Sequence, residues 1–224
     1  MLDITNHWVN IKGESRVLAQ YILKDRPIFF DVGACLGEWA TMAKTLFPLS
    51  IIHSFEINHL LFDELSKNVS ELNHVFVNKF GLADSNSGKE MSFHPYHKAC
   101  ATLINNPNQI KAGFNKILVR VISGDDYCIE NDISQIDYLK IDTEGAEHLV
   151  LSGFKRMVRA NKINCIQFEY GTINKTTGIL MKWFYDFLAP FNYKIGKILP
   201  KNVEFDNYYN LIDDNGSNFI AIRK

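Results

Sequence analysis

Several features are missing from this chain of 224 residues, and each absence closes off a class. No run of about 18 apolar residues occurs, so no segment reads as a membrane-spanning helix. The first dozen residues are mixed and polar, without the apolar stretch of a secretory leader. Charge of either sign is not in surplus, with 24 basic residues against 25 acidic ones. That balance gives no electrostatic grip on nucleic acid. The four cysteines (Cys35, Cys100, Cys128, Cys165) are scattered and form no Cys-x-x-Cys pair. They read as reduced thiols of a cytoplasmic protein, not as a disulfide frame or a zinc site. No internal repeat and no low-complexity linker interrupts the chain, and its length suits one domain with a substantial core.

What is present is an alternation of short apolar runs and amphipathic stretches. Val17, Leu18, Tyr21 and Ile22 recur at helical spacing and predict a helix over 14–24. Pro27-Ile28-Phe29-Phe30 is a continuous apolar run stopping at Asp31, the pattern of a strand buried on both faces. A helix over 37–47 should follow, ended by Pro48. Ile51 to Phe55 forms a second strand ending on Glu56, and Leu61, Leu65, Val69 and Leu72 mark a helix over 60–72. A third strand covers 74–77. The stretch 84–115 is rich in Asn, Ser, Gly and Pro and is expected to be irregular, with a hairpin at Met91-Ser92-Phe93 at most.

Regularity returns with a strand over 117–121 and a short helix near Asp125. A central strand over 136–141 ends on Asp142, a helix runs to about 161, and a strand over 163–168 ends on Glu169. A helix over 176–188 leads to a strand at 193–195. The tail, 208–212 and 219–222, predicts a closing hairpin around Asp214-Asn215-Gly216. Repeated strand–helix units predict an α/β fold: a doubly wound, mostly parallel sheet with helices on both faces and an antiparallel C-terminal strand.

In such sheets ligands bind beyond the carboxyl ends of the strands. The residues ending them here, Asp31, Glu56, Asp142 and Glu169, are all acids. Carboxylates set against a core are costly, so they point to a polar cleft that holds hydroxyls or positive charge. The first loop, Asp31-Val32-Gly33-Ala34-Cys35-Leu36-Gly37, has glycines spaced for a tight turn and close ligand approach. It departs from the Gly-x-Gly-x-x-Gly of a dinucleotide site. An acid before the first glycine would repel a pyrophosphate but suits a ligand carrying an ammonium and a sulfonium, as S-adenosylmethionine does. Glu56 stands where it would accept hydrogen bonds from two ribose hydroxyls. The bland alternative for the loop is a plain turn with no ligand.

Asp31-Val32-Gly33-Ala34 with Gly37, then Phe55-Glu56, Gly81-Leu82-Ala83-Asp84 and the segment 136–147, with its core Leu139-Lys140-Ile141-Asp142-Thr143-Glu144-Gly145-Ala146-Glu147, resemble the FkbM family of methyltransferases. The likeness runs over roughly 28–170. It departs mildly where Ile57-Asn58 replaces the proline common after the second-strand acid. The resemblance implies a Rossmann-like class I methyltransferase fold. Length and pattern predict 1–224 as a single domain, with 1–26 as a helical lead-in and the irregular 85–115 as a lid or substrate wall, since long loops in compact domains tend to be functional. It implies O-methylation of a sugar or secondary-metabolite hydroxyl. By that resemblance Asp31, Gly33, Ala34 and Gly37 border the methionine part of the donor, Glu56 holds the ribose, and Ile57 packs on the adenine. Leu82 and Asp84 lie near the adenine edge, and Asp142 stands beside the methyl group.

An alcohol needs help to lose its proton, from a base or a metal. Asp142, Glu144 and Glu169 are the candidate catalytic acids. Asp142 and Glu169 suit a hard divalent cation as well as they suit direct hydrogen bonds to substrate, and the two uses stay open. Glu144 could instead only cap the next helix, and Lys140 reads as the structural partner of an acid. His94 and His97 read as exposed loop residues, His53 as core and His148 as partly buried. Ile179, Leu180, Trp183, Phe184, Phe187 and Leu188 follow helical spacing, so this aromatic cluster reads as sheet packing, with any exposed remainder available for a homo-oligomer contact. A small-molecule or glycan acceptor is expected, and no nucleic acid. The rival readings are a non-catalytic cofactor-binding scaffold and, behind it, an RNA methyltransferase, disfavoured because no Asn-Pro-Pro-Tyr-like motif follows the central strand.

Overall fold

Phe29 and Phe30, consecutive in sequence, point to opposite sides of one sheet and sit in separate hydrophobic clusters, both fully buried. Alternation along a strand sends neighbours to opposite faces, so an unbroken apolar run belongs where both faces are covered. The same division separates Tyr138 from Leu139 and Ile220 from Ala221. The computed structural model describes residues 13–105, 113–205 and 217–223.

In chain order the elements are α1 (Glu14–Tyr21), β1 (Ile28–Val32), α2 (Glu38–Leu46), β2 (Ile51–Phe55), α3 (His59–Asn68), β3 (Val75–Asn78), β4 (Gly81–Ala83), β5 (Ser87–Phe93) and β6 (Asn115–Ser123). There follow α4 (Gly124–Glu130), β7 (Ile136–Ile141), α5 (Glu147–Gly153), α6 (Lys155–Arg159), β8 (Ile163–Tyr170), α7 (Thr172–Thr176), α8 (Met181–Leu188), β9 (Tyr193–Ile198), β10 (Val203–Glu204) and β11 (Ser217–Arg223). Eight strands form the main sheet in the order β10-β9-β11-β8-β7-β1-β2-β3. The pairs from β8 through β3 are parallel, and β11 runs antiparallel to both β8 and β9. Helices α1, α2 and α3 cover one face through Val17, Leu18, Trp39, Ala43 and Leu65. On the other face lie α4, α5, α6 and α8, through Tyr127, Val150, Val158 and Phe184. The expected α/β architecture, with an antiparallel strand at the C-terminal end, is what forms.

Three expectations change. The segment 85–115 is not irregular throughout, because β5 lies in it, pairs antiparallel with β6, and joins β4 in a separate three-stranded sheet. Its sequence, Ser-Gly-Lys-Glu-Met-Ser-Phe, shows little β-propensity, and the ladder with β6 supplies what the side chains do not. The helix expected to run to 161 breaks at Phe154, which ends α5 and precedes α6. The helix over 176–188 is two, with Gly178 at φ 79° between them. The expected tail strand 208–212 and its turn lie outside the described residues, whereas 219–222 falls within β11.

The aromatic cluster packs as its spacing suggests. Phe184 stacks on Phe168 at 4.5 Å, and Trp183 lies on Phe187 at 5.0 Å. No helix among the described residues is long and apolar enough to cross a membrane. Phe154 is fully buried, meets the ring of Phe30 at 5.9 Å, and fills the space above Gly124, where any side chain would strike it. Phe154→Ala should therefore lower the unfolding free energy by about 3–5 kcal/mol in urea titration, the range for truncating a buried aromatic.

Candidate functional site

β1 is the strand from which order runs outward in both directions. Val32 faces Phe55 of β2 on one side and Ile141 of β7 on the other, so three strand ends open into one crevice. The loop after β1 is bound tightly to its neighbours. The amides of Gly33 and Ala34 both donate to the Phe55 carbonyl at 3.0 Å, and the Asp142 amide donates to the Val32 carbonyl at 2.9 Å. Gly33 has φ 80°, and a Cβ there would lie 1.8 Å from the Asp142 carbonyl oxygen. Only glycine permits that approach. Gly37, at φ 85°, begins α2 with its bare backbone against Leu65 and Val69.

A cavity of about 250 Å³ lies over this crevice. Of the residues expected from sequence, Gly33, Ala34, Glu56, Ile57, Leu82, Asp142 and Glu144 line it. Asp31, Gly37, Asp84 and Glu169 do not. Gly37 sits behind the wall, and Asp84 lies toward β5 in an ion pair with Lys89 at 3.0 Å. Glu169 falls one residue before the end of β8, yet its carboxylate and those of Asp142 and Glu144 have oxygens all within 4.8 Å of one another.

Asp31 has a different role. It is fully buried and stands directly across the sheet from Lys140, whose ammonium lies 3.1 Å from its carboxylate. The same ammonium donates to the Gly33 carbonyl at 3.1 Å and lies 3.5 Å from Asp142. Burial alone would lower the proton affinity of Lys140, but the Asp31 and Asp142 carboxylates hold it above the usual lysine range. The lysine therefore stays charged and ties the first loop to the end of β7.

Glu56 is buried and lines the cavity, accepting from the Cys35 amide at 2.8 Å and the Asn58 amide at 2.7 Å. Burial pushes its carboxyl up to about 7, against the pull of those two amides. Asn58 caps α3 by accepting from the Leu60 amide through its side-chain oxygen, and its side-chain Nδ2 donates to the Lys98 carbonyl. That bond, with the paired backbones of Ser92 and Thr102, anchors a wall made by Ala99, Ala101, Thr102 and Leu103.

The turn after β7 is built by Glu147, whose role the sequence reading missed although its motif contained it. Fully buried, it accepts from the amides of Thr143 and Gly145, the Thr143 hydroxyl and the Asn174 side chain. The turn leaves Glu144 at φ 54°, a backbone state disfavoured for a non-glycine residue. Because α5 starts at Glu147, Glu144 is not its first-turn acid, and helix capping does not explain it. Glu14, Glu38 and Trp39 also line the cavity and were missed. His53 is a core residue, its Nδ1 2.7 Å from the Tyr127 hydroxyl. His148 packs partly buried against Trp183.

Residues 31–197, about three quarters of the chain, match the FkbM methyltransferase domain. The chain belongs to the FkbM methyltransferase family. The hexuronic acid methyltransferase AglP of Haloferax volcanii is 24% identical over 165 residues, 72% of this chain and 65% of that protein. The chain thus spans just under two thirds of that relative. Among solved structures, a precorrin-6y C5,15-methyltransferase from Geobacter metallireducens is similar at TM-score 0.53 and 13% identity, covering 100% of this chain and 92% of its own. A putative rRNA methylase from Clostridium thermocellum is similar at TM-score 0.56 and 8% identity, covering 95% and 94%. At such identities they show the fold alone, and that fold is the class I methyltransferase one.

S-adenosylmethionine is the methyl donor that goes with this family, and the cavity suits it. The lining carries Glu14, Glu38, Glu56, Asp142 and Glu144 against one cation, Lys140, whose charge Asp31 already meets. A diphosphate would be repelled there, whereas a ligand of net positive charge would not.

Were ribose hydroxyls to donate to the ionised form of Glu56, binding would lower its proton affinity and release a proton wherever free Glu56 is still protonated, below about pH 7. Affinity for S-adenosylhomocysteine should fall about tenfold from pH 8 to pH 6 by calorimetry. Glu56→Gln should bind about 10- to 100-fold more weakly at pH 8 and lose most of the slope. Lys140→Met strands Asp31 without a counter-charge and should cost about 3–5 kcal/mol in urea unfolding, with the Asp31→Leu, Lys140→Met double variant recovering much of the loss.

Proposed function

We propose that the protein transfers the methyl group of S-adenosylmethionine to a hydroxyl of a sugar or related secondary metabolite. The observation that carries this reading is the cluster of three carboxylates, in which Asp142 and Glu144 line the cavity and Glu169, outside its lining, brings an oxygen within 4.8 Å of theirs. Carboxylates accept hydrogen bonds and take protons, which suits an acceptor presenting several hydroxyls. The hexuronic acid named for the Haloferax relative presents such hydroxyls on a sugar ring.

The donor supplies an electrophilic methyl carbon on a positive sulfur. The protein's task is alignment and proton removal. Glu56 holds the ribose, with Ile57 and Leu82 against the base. Lys140 keeps the Gly33 loop and Asp142 in fixed relation, so that Asp142 borders the reacting centre. The Asp142, Glu144 and Glu169 cluster orients the acceptor and accepts its proton. The same three oxygens suit a hard divalent cation, and turnover that survives a chelator would assign the proton to a carboxylate alone. The wall at 99–103 closes the acceptor side. The acidic cavity and near-neutral chain argue against a polyphosphate acceptor such as RNA.

The test is product detection by mass spectrometry with S-adenosylmethionine and a panel of hexuronic acids, neutral sugars and phenols, with an RNA control. A gain of 14 mass units on a hydroxylated acceptor is expected. Donor binding without turnover on any acceptor would favour a non-catalytic scaffold. Asp142→Asn should reduce kcat at least tenfold while changing donor affinity less than threefold, the split expected of a group acting on the reaction. Equal losses in both would make Asp142 a donor-binding residue only.

A further inference from the structure

We propose that Glu14, at the start of the N-terminal helix α1, binds the α-ammonium of the methyl donor's amino-acid end. This rests on the donor reading above but concerns a residue outside the span matched by the family. Glu14 is buried, with 7% of its surface exposed, and it lines the same cavity as Gly33, Glu38, Trp39 and Lys140. Its two carboxylate oxygens accept from the side-chain Nδ2 of Asn218 on β11 and the side-chain Nε2 of Gln167 on β8, each at 2.9 Å. Gln167 in turn accepts from the Tyr138 hydroxyl at 2.7 Å. Asp31, Lys140 and Gln167 stand opposite one another on β1, β7 and β8. A polar row thus crosses an otherwise apolar sheet face, and Glu14 caps it where the cavity begins.

The helix that carries Glu14 is fixed for the purpose. Gly13, at φ 80°, presses its backbone against Leu199, where a Cβ would lie 2.6 Å from the carbonyl oxygen. The Arg16 guanidinium donates to the Leu199 and Asn202 carbonyls at 2.9 and 2.8 Å. Val17 and Leu18 are fully buried behind it. An acid held in a core position by dedicated amides is costly unless a charge or hydrogen bonds meet it. The cavity divides by chemistry. Phe55, Ile57, Leu61 and Leu82 form an apolar end, and Glu56 lies beside the first loop. With the base at the apolar end and the ribose at Glu56, the amino-acid end falls toward Gly33, Trp39 and Glu14. Lys140 is met chiefly by Asp31, the Gly33 carbonyl and Asp142, with Glu14 adding to its stabilisation from farther off, so carboxylates outnumber cations at this end of the cavity.

Calorimetry on the ligand-free protein separates this role from a structural one. S-adenosylhomocysteine carries the amino-acid end and 5′-methylthioadenosine lacks it. Glu14→Gln should weaken S-adenosylhomocysteine on the order of tenfold, as for a hydrogen bond to a charged group, and leave 5′-methylthioadenosine within twofold. Glu14→Asp, which keeps the charge but retracts it, should show a smaller loss with the same selectivity and serves if the glutamine variant does not fold. Equal weakening of both ligands would make Glu14 a strut of the fold and overturn the proposal. Selective loss in Glu38→Gln but not in the Glu14 variants would move the ammonium to Glu38 and also overturn it. If neither ligand binds the unaltered protein, it is the donor reading that fails.

Discussion

The pair of Asp31 and Lys140 is the constraint on which the site depends. Two opposite charges buried at adjacent positions on β1 and β7 are expensive to desolvate and are tolerated only when geometry is close and further partners are present. Here the ammonium also binds the Gly33 carbonyl and approaches Asp142, so one side chain fixes the distance between the first loop and the end of the central strand. The loop can then carry glycine at its tightest point, pressed on the Asp142 backbone, with no side chain between them. An aliphatic pair would fill the volume, but it would not hold the carbonyl and the carboxylate in register.

Around that pair two buried acids, Glu56 and Glu147, secure neighbouring loops. Glu56 gathers the amides of Cys35 and Asn58, so a carboxylate that lines the cavity is also the one that shapes the first two loops. Glu147 gathers Thr143, Gly145 and Asn174 and bends the turn that holds Glu144 in its left-handed conformation. Asn58 joins α3 to the segment carrying 99–103. The acids of these loops and strand ends therefore fall into two groups. Asp31, Glu56 and Glu147 order the backbone, while Asp142, Glu144 and Glu169 bring carboxylate oxygens within 4.8 Å of one another.

Much of this was legible in the chain itself. A continuous apolar run at 28–30 and a run at 136–141 broken only by Asp137 and Lys140, separated by helical spacing, are the pattern of strands covered on both faces, and the two clusters on either side of Phe29 and Phe30 are what that pattern requires. The loop glycines and Glu56 were legible because the β-turn-α geometry of such sheets places strand-end residues together irrespective of their distance in sequence. Less legible were β5, whose Ser, Gly, Lys and Glu carry no strand pattern, and the breaks at Phe154 and Gly178, which depend on packing and not on propensity.

By itself the sequence determined the layer architecture, the nucleotide-type loop and the identity of the acids, since these follow from periodicity and residue type. Tertiary structure decided what each acid does. Asp31 and Asp142 are both acids next to apolar runs, yet one is sealed against a lysine and the other borders the cavity. Only the strand order and register that place Lys140 opposite Asp31 separate them. Glu14 makes the same point from farther away. Nothing local marks it, and it belongs to the site only because the sheet brings Gln167 and Asn218, distant in sequence, beneath it.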